Sequence, residues 1–505
     1  MENIVRLFFD AAKKFPDHFA IHSESKSITY QELKDSVIRT ARYYEEKGVR
    51  KNSKVLVFIP MSIRLYKTVL ALLAIGAVVV FIDEWANKKR FDKALEIVKV
   101  DAVIAPRKYL FLGYLFRMLR HIELSLVAPS DHKLMSVQRK SLFTEVDKQS
   151  PASIDKDDTA LITFTTGSTG LPKAANRTHH FLNIQFNVLQ EEMKTEASDC
   201  CLVTLPIVLL SILGTGGCAI LPQFNQRKPH LLNVPKQVKL LKKYKANTII
   251  ASPFYVGRLA ESEYIFPDIQ KVFTGGAPVF PDLAEKVVKA FPDANCQVAY
   301  GSTEAEPISM IAMNTVSLNQ YGLAVGSLNK HIDLKIIKIT EEAIRLDQDG
   351  WHKWEVPFGE IVVSGPHVLK QYYNSKSAFH MNKIVDDERI WHRTGDSGIL
   401  IDGILYLNGR CSQLLNRDGT YHSLFIIEYQ ISQIPRVSLG TLMGEIVVLE
   451  VDGNNLRSSH LRKEIENHVK SLKIPYQEII FKRQIPRDPR HHSKIDYGKL
   501  KEIIN

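Results

Sequence analysis

At 505 residues, the chain is longer than one hydrophobic core usually supports, so at least two domains are expected. Its apolar content of 45% and charged content of 24% are those of an ordinary globular protein, and a net charge of +11 is modest at this length. Because no base-reading motif accompanies that charge, nucleic acid is excluded as an expected partner. The five cysteines show no C-x-x-C spacing, which argues against disulfides and a zinc site and favours a cytoplasmic location. The longest apolar run, Val69–Ile82, is too short to span a bilayer.

Strand and helix patterns alternate over the first 105 residues. Thr29 and Glu32 predict a capping box at the start of a helix that ends at Gly48. The alternation continues through Val55–Ile59 (strand), Val69–Ala77 (helix), Val78–Ile82 (strand), Phe91–Lys99 (helix) and Ala102–Ala105 (strand). This pattern predicts an α/β fold with a mainly parallel sheet and helices on both faces.

Residues 107–127 form a basic, apolar segment in which aromatic and aliphatic side chains alternate with arginine and lysine. A helix of this kind lies on a membrane surface, contacts a partner enzyme, or packs onto its own domain. Packing onto its own domain is the favoured interpretation, and the other two stay open.

A run rich in hydroxyl groups and glycine follows the buried-strand pattern that begins at Ala160. It consists of Thr165, Thr166, Gly167, Ser168, Thr169 and Gly170, and Lys173 follows. Small residues let main-chain N–H groups converge on an anion, hydroxyl groups add donors, and the lysine adds a positive charge. The combination predicts a polyphosphate site. It is not the common P-loop, because Pro172 stands where that motif has a glycine before the lysine.

Two further buried-strand patterns end in small or polar residues. Val272–Thr274 leads into Gly275-Gly276-Ala277-Pro278, and Val298–Tyr300 leads into Gly301-Ser302-Thr303-Glu304. Ligands bind beyond the carboxyl ends of parallel strands, so both segments are candidates for a binding site.

The pattern changes in residues 325–407. Short strands are predicted at Ile332–Ile339, Ala343–Leu346, Glu360–Val363 and Ile404–Leu407, which indicates a small β subdomain. Asp396 follows Thr394 and Gly395, a composition typical of a loop. A strand–helix–strand pattern then leads to the basic segment Pro486–Ile495.

Four motifs, in this order, resemble the signatures of the adenylate-forming, AMP-binding enzymes. They are Thr-Thr-Gly-Ser-Thr-Gly-Leu-Pro-Lys at 165–173, Tyr-Gly-Ser-Thr-Glu at 300–304, Arg-Thr-Gly-Asp at 393–396, and the basic segment at 486–495. In their amino-acid sequence, the segments Ala305–Ile308 and Asp488–His491 are most similar to the β-lactone synthetases of olefin biosynthesis. The apolar segment around Leu209, where many acyl-CoA synthetases carry histidine, is similar to them as well.

The resemblance implies an architecture of two domains. A large adenylation domain, residues 1–409, would contain mainly parallel sheets flanked by helices together with the β subdomain at about 325–407. A small, mobile α+β domain, residues 410–505, would carry the catalytic lysine.

The resemblance also implies ATP and Mg²⁺ as cofactors. Catalysis falls to Thr303, Glu304 and Lys494, and Glu304 is also the implied ligand of the metal ion. The implied contacts to the nucleotide and its phosphates are Thr165, Thr166, Gly167, Ser168, Thr169, Gly170, Lys173, Gly276, Ala277, Pro278, Tyr300, Gly301, Ser302, Thr303, Asp396, Arg410 and Lys494. Arg487 and Arg490 are expected to converge on the phosphates with Lys494. Leu209, Phe254 and Gly276 are the implied contacts of the acyl substrate.

The implied reaction is activation of a hydrophobic carboxylic acid, a fatty or 3-hydroxy fatty acid, to an acyl-adenylate with release of pyrophosphate. AMP is then displaced by an internal hydroxyl, which gives a β-lactone, or by coenzyme A or an acyl-carrier protein, which gives a thioester. Ser423-Leu424 replaces the usual Glu-Pro of the hinge, and this departure favours the lactone. A non-catalytic nucleotide-binding or membrane-surface protein is the remaining alternative. Retention of Lys173, Glu304, Asp396 and Lys494 argues against it.

Overall fold

A computed structural model describes residues 3–504 of the chain, apart from residues 83–87, 108–121, 123, 130–150, 167–171, 225–230, 348–349, 418, 452–457 and 488–494. Gly167, Ser168, Thr169, Gly170 and Lys494 therefore lie outside the described residues, as does most of the segment 107–127. None of the described helices is long and apolar enough to cross a membrane.

The described helices are distributed along the whole chain. They are α1 (Val5–Lys14), α2 (Tyr30–Glu46), α3 (Ile63–Ile75), α4 (Lys88–Val98), α5 (His179–Met193), α6 (Pro206–Thr215), α7 (Val234–Lys243), α8 (Pro253–Ala260), α9 (Pro281–Ala290), α10 (Lys376–Asn382), α11 (Leu424–Ser432), α12 (Ser459–Ser471) and α13 (Tyr497–Ile504). The predicted capping box is confirmed at α2, where the Thr29 hydroxyl accepts from the main chain of Glu32 and the Glu32 carboxylate accepts from that of Thr29. Helix α3 begins earlier than predicted because the Ser62 hydroxyl caps it, and it ends at Gly76, whose φ is +78°.

The described strands are equally widespread. They are β1 (Phe19–His22), β2 (Ser27–Thr29), β3 (Lys54–Val57), β4 (Val78–Phe81), β5 (Ala102–Ala105), β6 (Leu124–Val127), β7 (Thr159–Thr166), β8 (Pro172–Thr178), β9 (Cys200–Val203), β10 (Cys218–Ile220), β11 (Thr248–Ala251), β12 (Lys271–Gly275), β13 (Asn295–Ser302), β14 (Ala305–Ala312), β15 (Leu318–Asn319), β16 (Gly322–Leu328), β17 (Asp333–Ile337), β18 (Phe358–Ser364), β19 (Lys383–Asp386), β20 (Arg389–Ile401), β21 (Ile404–Arg410), β22 (Leu414–Arg417), β23 (Thr420–Ser423), β24 (Val437–Met443), β25 (Ile446–Val451) and β26 (Glu478–Lys482).

Two large sheets confirm the predicted α/β class. The smaller of them has the order β6-β5-β3-β4-β7-β8 and is parallel except for its last pair. The larger has the order β17-β18-β20-β21-β16-β14-β13-β12-β11-β9-β10-β1-β2. Its parallel part extends from β13 through β12, β11, β9 and β10 to β1. Helices cover the sheets and bury apolar cores against them. The carboxyl ends of β7, β12 and β13 carry the segments that the sequence marked as candidates for binding.

The strands of residues 325–407 are antiparallel and join the larger sheet through the pairing of β14 with β16. Ala343–Leu346, predicted to be a strand, has no regular secondary structure. Asp396 was expected on a loop, but it lies inside β20, whose ladder is irregular between Ser397 and Gly398 and which contains Gly395 at φ +71°. A glycine that tolerates this φ lets a polar turn sequence remain within a strand.

The carboxyl-terminal residues build a core of their own. Strands β24, β25 and β26 form a separate sheet on which α11 and α12 pack. Contacts with the preceding residues include the Phe280 ring, stacked 4.0 Å from the ring of Tyr429, and the Ser423 hydroxyl, which donates to the carbonyl of Asn408 at 2.7 Å. The division into 1–409 and 410–505, and the mobility of the second part, stay predictions.

Candidate active site

The flanks of the predicted phosphate loop form a hairpin. Strand β7 pairs antiparallel with β8, and Thr165 stands opposite Lys173 in the register. Residues 167–171, the predicted phosphate loop, lie between these two positions in the sequence. The hairpin therefore places a hydroxyl and an ammonium group side by side at the base of the loop.

One residue from each strand of this hairpin approaches the carboxylate of Glu304. Its Oε1 accepts a hydrogen bond from the Thr165 hydroxyl at 3.0 Å and another from the Tyr372 hydroxyl at 3.0 Å, and the Lys173 ammonium lies 3.8 Å away. The residue is only 5% exposed. The structure thus brings Thr165 and Lys173, predicted from one motif, together with Glu304, predicted from another.

Three residues of this cluster were missed by sequence reasoning. Besides Tyr372, they are Asn382, whose side-chain oxygen accepts from Lys173 at 2.8 Å, and Lys383, which is 2% exposed. The ammonium groups of Lys173 and Lys383 each lie 5.4 Å from the centroid of the Tyr372 ring. Lys383 also donates to the main-chain carbonyl of Leu369. One signal was present, since Asn382 and Lys383 stand where α10 passes directly into β19, but a lysine at such a junction is usually solvated.

The charges of this cluster are coupled. Burial alone would raise the pKa of Glu304, yet neighbouring positive charge and the hydrogen bond from Tyr372 hold that pKa below its ordinary value. His392 is close by, but burial holds its own pKa well below the usual range, so Lys173 and, in part, Lys383 supply that charge. Burial lowers the pKa of Lys383 to about 7, although Glu304 opposes this shift, so this lysine is only partly protonated at neutral pH.

Glu304 meets the requirement for one carboxylate ligand of Mg²⁺. Its Oε1 is occupied by Thr165 and Tyr372, whereas within the described residues no hydrogen bond or ion pair engages Oε2. No group of three metal-binding side chains occurs in the described part of the chain. Mg²⁺ is usually held by one or two carboxylates with water and substrate phosphates, so a single free carboxylate oxygen fits it.

The predicted ribose side is assembled around Asp396. The Tyr300 hydroxyl donates to Asp396 Oδ2 at 2.9 Å, and Arg410 Nη1 lies 3.2 Å from Oδ1. The ladder explains this proximity, because Asp396 of β20 is directly opposite Arg410 of β21. Asp396 raises the pKa of Arg410, and burial followed by the Asp396 charge raises the pKa of Tyr300 well above its usual value. Arg410 in turn lowers the pKa of Lys173, after burial, so the two halves of the site are electrostatic neighbours.

Two buried arginines fix the main chain next to the two halves of the site. Arg177 is 2% exposed, and its Nη2 donates to the Thr303 carbonyl at 2.9 Å, which positions the Gly301–Glu304 turn. Arg393 forms a buried ion pair of 2.6 Å with Glu360, whose second oxygen accepts from the amide of Gly395 at 3.2 Å. That bond positions the residue directly before Asp396.

The glycine segments lie at adjacent strand ends. A Cβ on Gly275 would come within 2.7 Å of the Ala299 carbonyl, and one on Gly301 within 2.7 Å of the Ala305 carbonyl, so each glycine permits a close approach of main chains. Gly276 has φ +84°, and Ala277 and Pro278 continue from it along the edge of the sheet. Ser302 accepts from the amide of Glu304 at 3.3 Å.

The predicted substrate contacts differ in their burial. Leu209 lies in α6 and is fully buried in the apolar core, whereas Phe254 in α8 is 37% exposed. Arg487, expected at the phosphates, instead forms an ion pair with Glu450 at 2.7 Å. The substrate contacts of Leu209 and Phe254 stay predictions, and Arg487 is already engaged elsewhere.

Comparison with known families shows to which family the chain belongs. A family model described as AMP-binding enzyme matches residues 8–373. The chain belongs to the AMP-binding enzymes. Family membership, with ligases among its relatives, makes this AMP-binding enzyme an adenylate-forming ligase.

Individual relatives of this AMP-binding enzyme are distant. An olefin β-lactone synthetase of Stenotrophomonas maltophilia is 24% identical over 99% of this chain and 97% of its own. A probable CoA ligase of Humulus lupulus is 22% identical over 92% of this chain and 86% of its own. Among solved structures, O-succinylbenzoate coenzyme A synthetase of Bacillus subtilis in complex with AMP has a TM-score of 0.79 at 20% identity, with 98% of each chain covered. The same synthetase in complex with ATP and a magnesium ion has a TM-score of 0.78 at 20% identity, covering 98% of this chain and 99% of its own. These likenesses confirm the fold.

Proposed function

We propose that this AMP-binding enzyme uses ATP to activate a hydrophobic carboxylic acid and that an internal 3-hydroxyl then closes a β-lactone. The observation that carries the first step is the convergence of Thr165, Tyr372 and Lys173 on Glu304, together with the contacts of Asp396 with Tyr300 and Arg410. One side offers positive charge to phosphates, and the other offers a carboxylate to ribose hydroxyls. A ribonucleotide such as ATP carries both groups.

In the first step a carboxylate oxygen of the acid attacks the α-phosphorus of ATP. The bond from that phosphorus to the bridging oxygen of the β-phosphate breaks, and pyrophosphate leaves with the electron pair. Carboxylate and triphosphate repel each other, so the site must offset negative charge before it aligns them. Lys173 at the base of the loop supplies part of that charge, and a Mg²⁺ ion held by Glu304 would supply more to the phosphate oxygens.

Lys494 is proposed as the residue that meets the carboxylate and the α-phosphate, on the strength of the motif at 486–495. We expect Lys494→Ala to bind ATP normally but to lose acid-dependent ATP–pyrophosphate exchange. Lys499→Ala, an exposed lysine of α13, is the matched control. Near-normal exchange in Lys494→Ala would refute the role.

In the second step the oxygen of a 3-hydroxyl attacks the acyl carbon, AMP leaves, and the hydroxyl proton passes to solvent. The similarity to the olefin β-lactone synthetase and the apolar Leu209 segment support this proposal. Similarity to CoA ligases supports the second candidate, a thioester formed with coenzyme A or an acyl-carrier protein. Mass analysis of products from 3-hydroxy and plain fatty acids, with and without coenzyme A, distinguishes the two. A product that appears only with coenzyme A would overturn the lactone.

The site of action is proposed to be cytoplasmic, because all five cysteines are free thiols. A contact with a membrane or partner enzyme through 107–127 stays a prediction.

A further inference from the structure

Two of the free cysteines stand opposite each other at the start of two strands of the larger sheet. Cys200 begins β9 and Cys218 begins β10, and the register of these parallel neighbours pairs the two residues directly. Residues paired in this way project to the same face of a sheet, and neighbouring strands lie about 4.8 Å apart. A disulfide joins residues whose Cα atoms are roughly 4.4–6.8 Å apart. The register therefore allows a covalent bond between the two sulfur atoms.

The other cysteines do not share this arrangement. Cys201 follows Cys200 directly, so its side chain points to the opposite face of the sheet, and it is fully buried. Cys296 is also buried, and Cys411 follows β21, elsewhere in the sheet. Both Cys200 and Cys218 are half-buried, so solvent reaches the pair.

The two paired thiols differ in their acidity. A hydrogen bond from the Cys218 thiol lowers the pKa of Cys200, although burial and the charge of Asp199 oppose this shift. The same hydrogen bond, together with burial, raises the pKa of Cys218. In its thiol form Cys200 also donates to the main-chain carbonyl of Tyr244 at 3.2 Å. Because the thiolate is the nucleophilic form of cysteine, Cys200 is the sulfur that reacts first.

We propose that Cys200 and Cys218 form a modification site, a dithiol that a hydroperoxide oxidises to an intramolecular disulfide. In the first step the Cys200 thiolate attacks one oxygen of the peroxide and the O–O bond breaks. The departing oxygen takes up the proton that Cys200 had lost, and Cys200 becomes a sulfenic acid. The Cys218 sulfur then attacks the Cys200 sulfur, the S–O bond breaks, and the hydroxide leaves with the Cys218 proton as water. Two electrons have then passed from the sulfurs to the peroxide.

This modification site is separate from the candidate active site. The two cysteines lie at the amino ends of β9 and β10, whereas the predicted binding segments follow the carboxyl ends of β12 and β13, which run parallel to them. The inference therefore goes beyond the proposed function and does not depend on it. The disulfide would close the segment between the cysteines, which contains α6 and the predicted substrate contact Leu209. A disulfide that forms in a reducing compartment is usually transient and redox-sensing.

The test uses the full chain, reduced and then treated with hydrogen peroxide under native conditions. Remaining thiols are blocked with N-ethylmaleimide in urea, and trypsin then releases Cys200, Cys201 and Cys218 in one peptide, residues 195–227, because no lysine or arginine interrupts it. We expect mass spectrometry to find one alkyl group on this peptide, at Cys201, in place of the three on the untreated chain. Dithiothreitol should restore all three. Three alkyl groups after treatment, a single group at Cys200 or Cys218, or a loss that dithiothreitol does not reverse would overturn the inference.

A variant tests the order of the two steps. In Cys218→Ser the hydroxyl keeps a hydrogen-bond donor beside Cys200 but forms no disulfide, so dimedone should label a sulfenic acid at Cys200 that the wild type does not accumulate. Cys218→Ala replaces this variant if it fails to fold. Cys411→Ser, which removes another half-buried cysteine, is the matched control and should form the disulfide as the wild type does. Equal dimedone labelling of Cys218→Ser and the wild type would contradict the proposal. So would a disulfide that forms equally well when peroxide is added in urea, because the strand register is then lost.

Discussion

Two buried glutamates, Glu304 and Glu360, show two ways in which this molecule keeps a carboxylate in its interior. They are 5% and 3% exposed. Arg393 donates to Glu360 Oε2 from Nε and Nη2 at 3.0 and 2.6 Å, and its remaining contacts are main-chain carbonyls, including that of Glu342 at 2.7 Å. Glu304 instead faces two lysines and keeps one oxygen without a bonded partner among the described residues.

This difference distinguishes a structural ion pair, Glu360–Arg393, from the candidate binding site around Glu304. In the Glu360–Arg393 pair, opposite charges match one to one and hydrogen bonds satisfy both partners, which is how a buried pair offsets its desolvation. The Glu304 cluster is not matched in this way, because Lys173 stands 3.8 Å from Oε1 while Oε2 has no bonded partner among the described residues. A carboxylate oxygen without a partner in a largely buried site is costly, so it identifies a place where a cationic ligand is expected.

The largest expected effect is on stability, when the balanced pair is broken. Arg393→Met leaves Glu360 buried and without its partner, and we expect this to lower the free energy of unfolding by about 3–5 kcal/mol. Trp391 and Trp351, with ring centroids 5.2 Å apart near this pair, allow urea unfolding to be followed by fluorescence. Arg389→Met, on the same strand but in an exposed pair with Asp333, is the control and should lose less than about 1 kcal/mol. Equal losses in the two variants would mean that the buried pair has no special role.

The next effect is on activity, when the unbalanced cluster is changed. Glu304→Gln keeps the shape of the side chain but removes its charge, and we expect acid-dependent ATP–pyrophosphate exchange to fall by about 10²–10³. Because the pKa of Glu304 is lowered in the folded state and Lys173 is its neighbour, this variant should also lose some stability, which thermal unfolding measures. Glu285→Gln, in an exposed pair with Lys289, is the control for loss of a glutamate charge. A loss of stability as large as that of Arg393→Met, with exchange unaffected, would reverse the assignment of scaffold and site.

The same contrast explains what the sequence could predict. Glu304, Lys173 and Asp396 stand in motifs whose residue types follow directly from binding a nucleotide, and the structure brings the first two together. The α/β class was equally readable, because strands and helices alternate at short range. Lys383 was not, since tertiary packing decides its burial beside the Tyr372 ring and brings it under the influence of Glu304, which is far away in the chain.

The conformation of the residues within a motif could not be predicted from the sequence either. Thr394, Gly395 and Asp396 have the composition of a turn, yet the bond from the Gly395 amide to Glu360 holds them in β20. Likewise, three of the four strands predicted in 325–407 are present, but their continuity with the parallel sheet through β14 and β16 was not predicted. Pairing between distant strands is decided by tertiary packing, for which local patterns carry little information.

A third carboxylate, Glu450, provides the smallest expected effect and a balanced pair nearer the surface. Its two oxygens accept from Arg487 Nη1 and Nη2 at 2.9 and 2.7 Å, and Oε2 also accepts from the amide of Ile485 at 2.6 Å. Burial by itself would raise the pKa of Glu450, but these bonds lower it below the ordinary value of 4.5. Because the Arg487 side chain is 28% exposed, solvent screens the pair, and we expect Glu450→Gln to cost about 1 kcal/mol.

The pH dependence of that cost follows from the direction of the shift. A carboxyl whose pKa is lower in the folded state contributes its full stabilisation above the unfolded pKa, and the contribution is lost as the pH falls through the folded pKa. The unfolding temperatures of the wild type and Glu450→Gln should therefore differ at neutral pH and converge as the pH falls through the lowered pKa of Glu450. Glu464→Gln, on the exposed face of α12, controls for general acid sensitivity. A gap that persists unchanged in acid would mean that Glu450 stabilises the fold by packing rather than by its charge, and the comparison of balanced with unbalanced carboxylates would then rest on Glu360 alone.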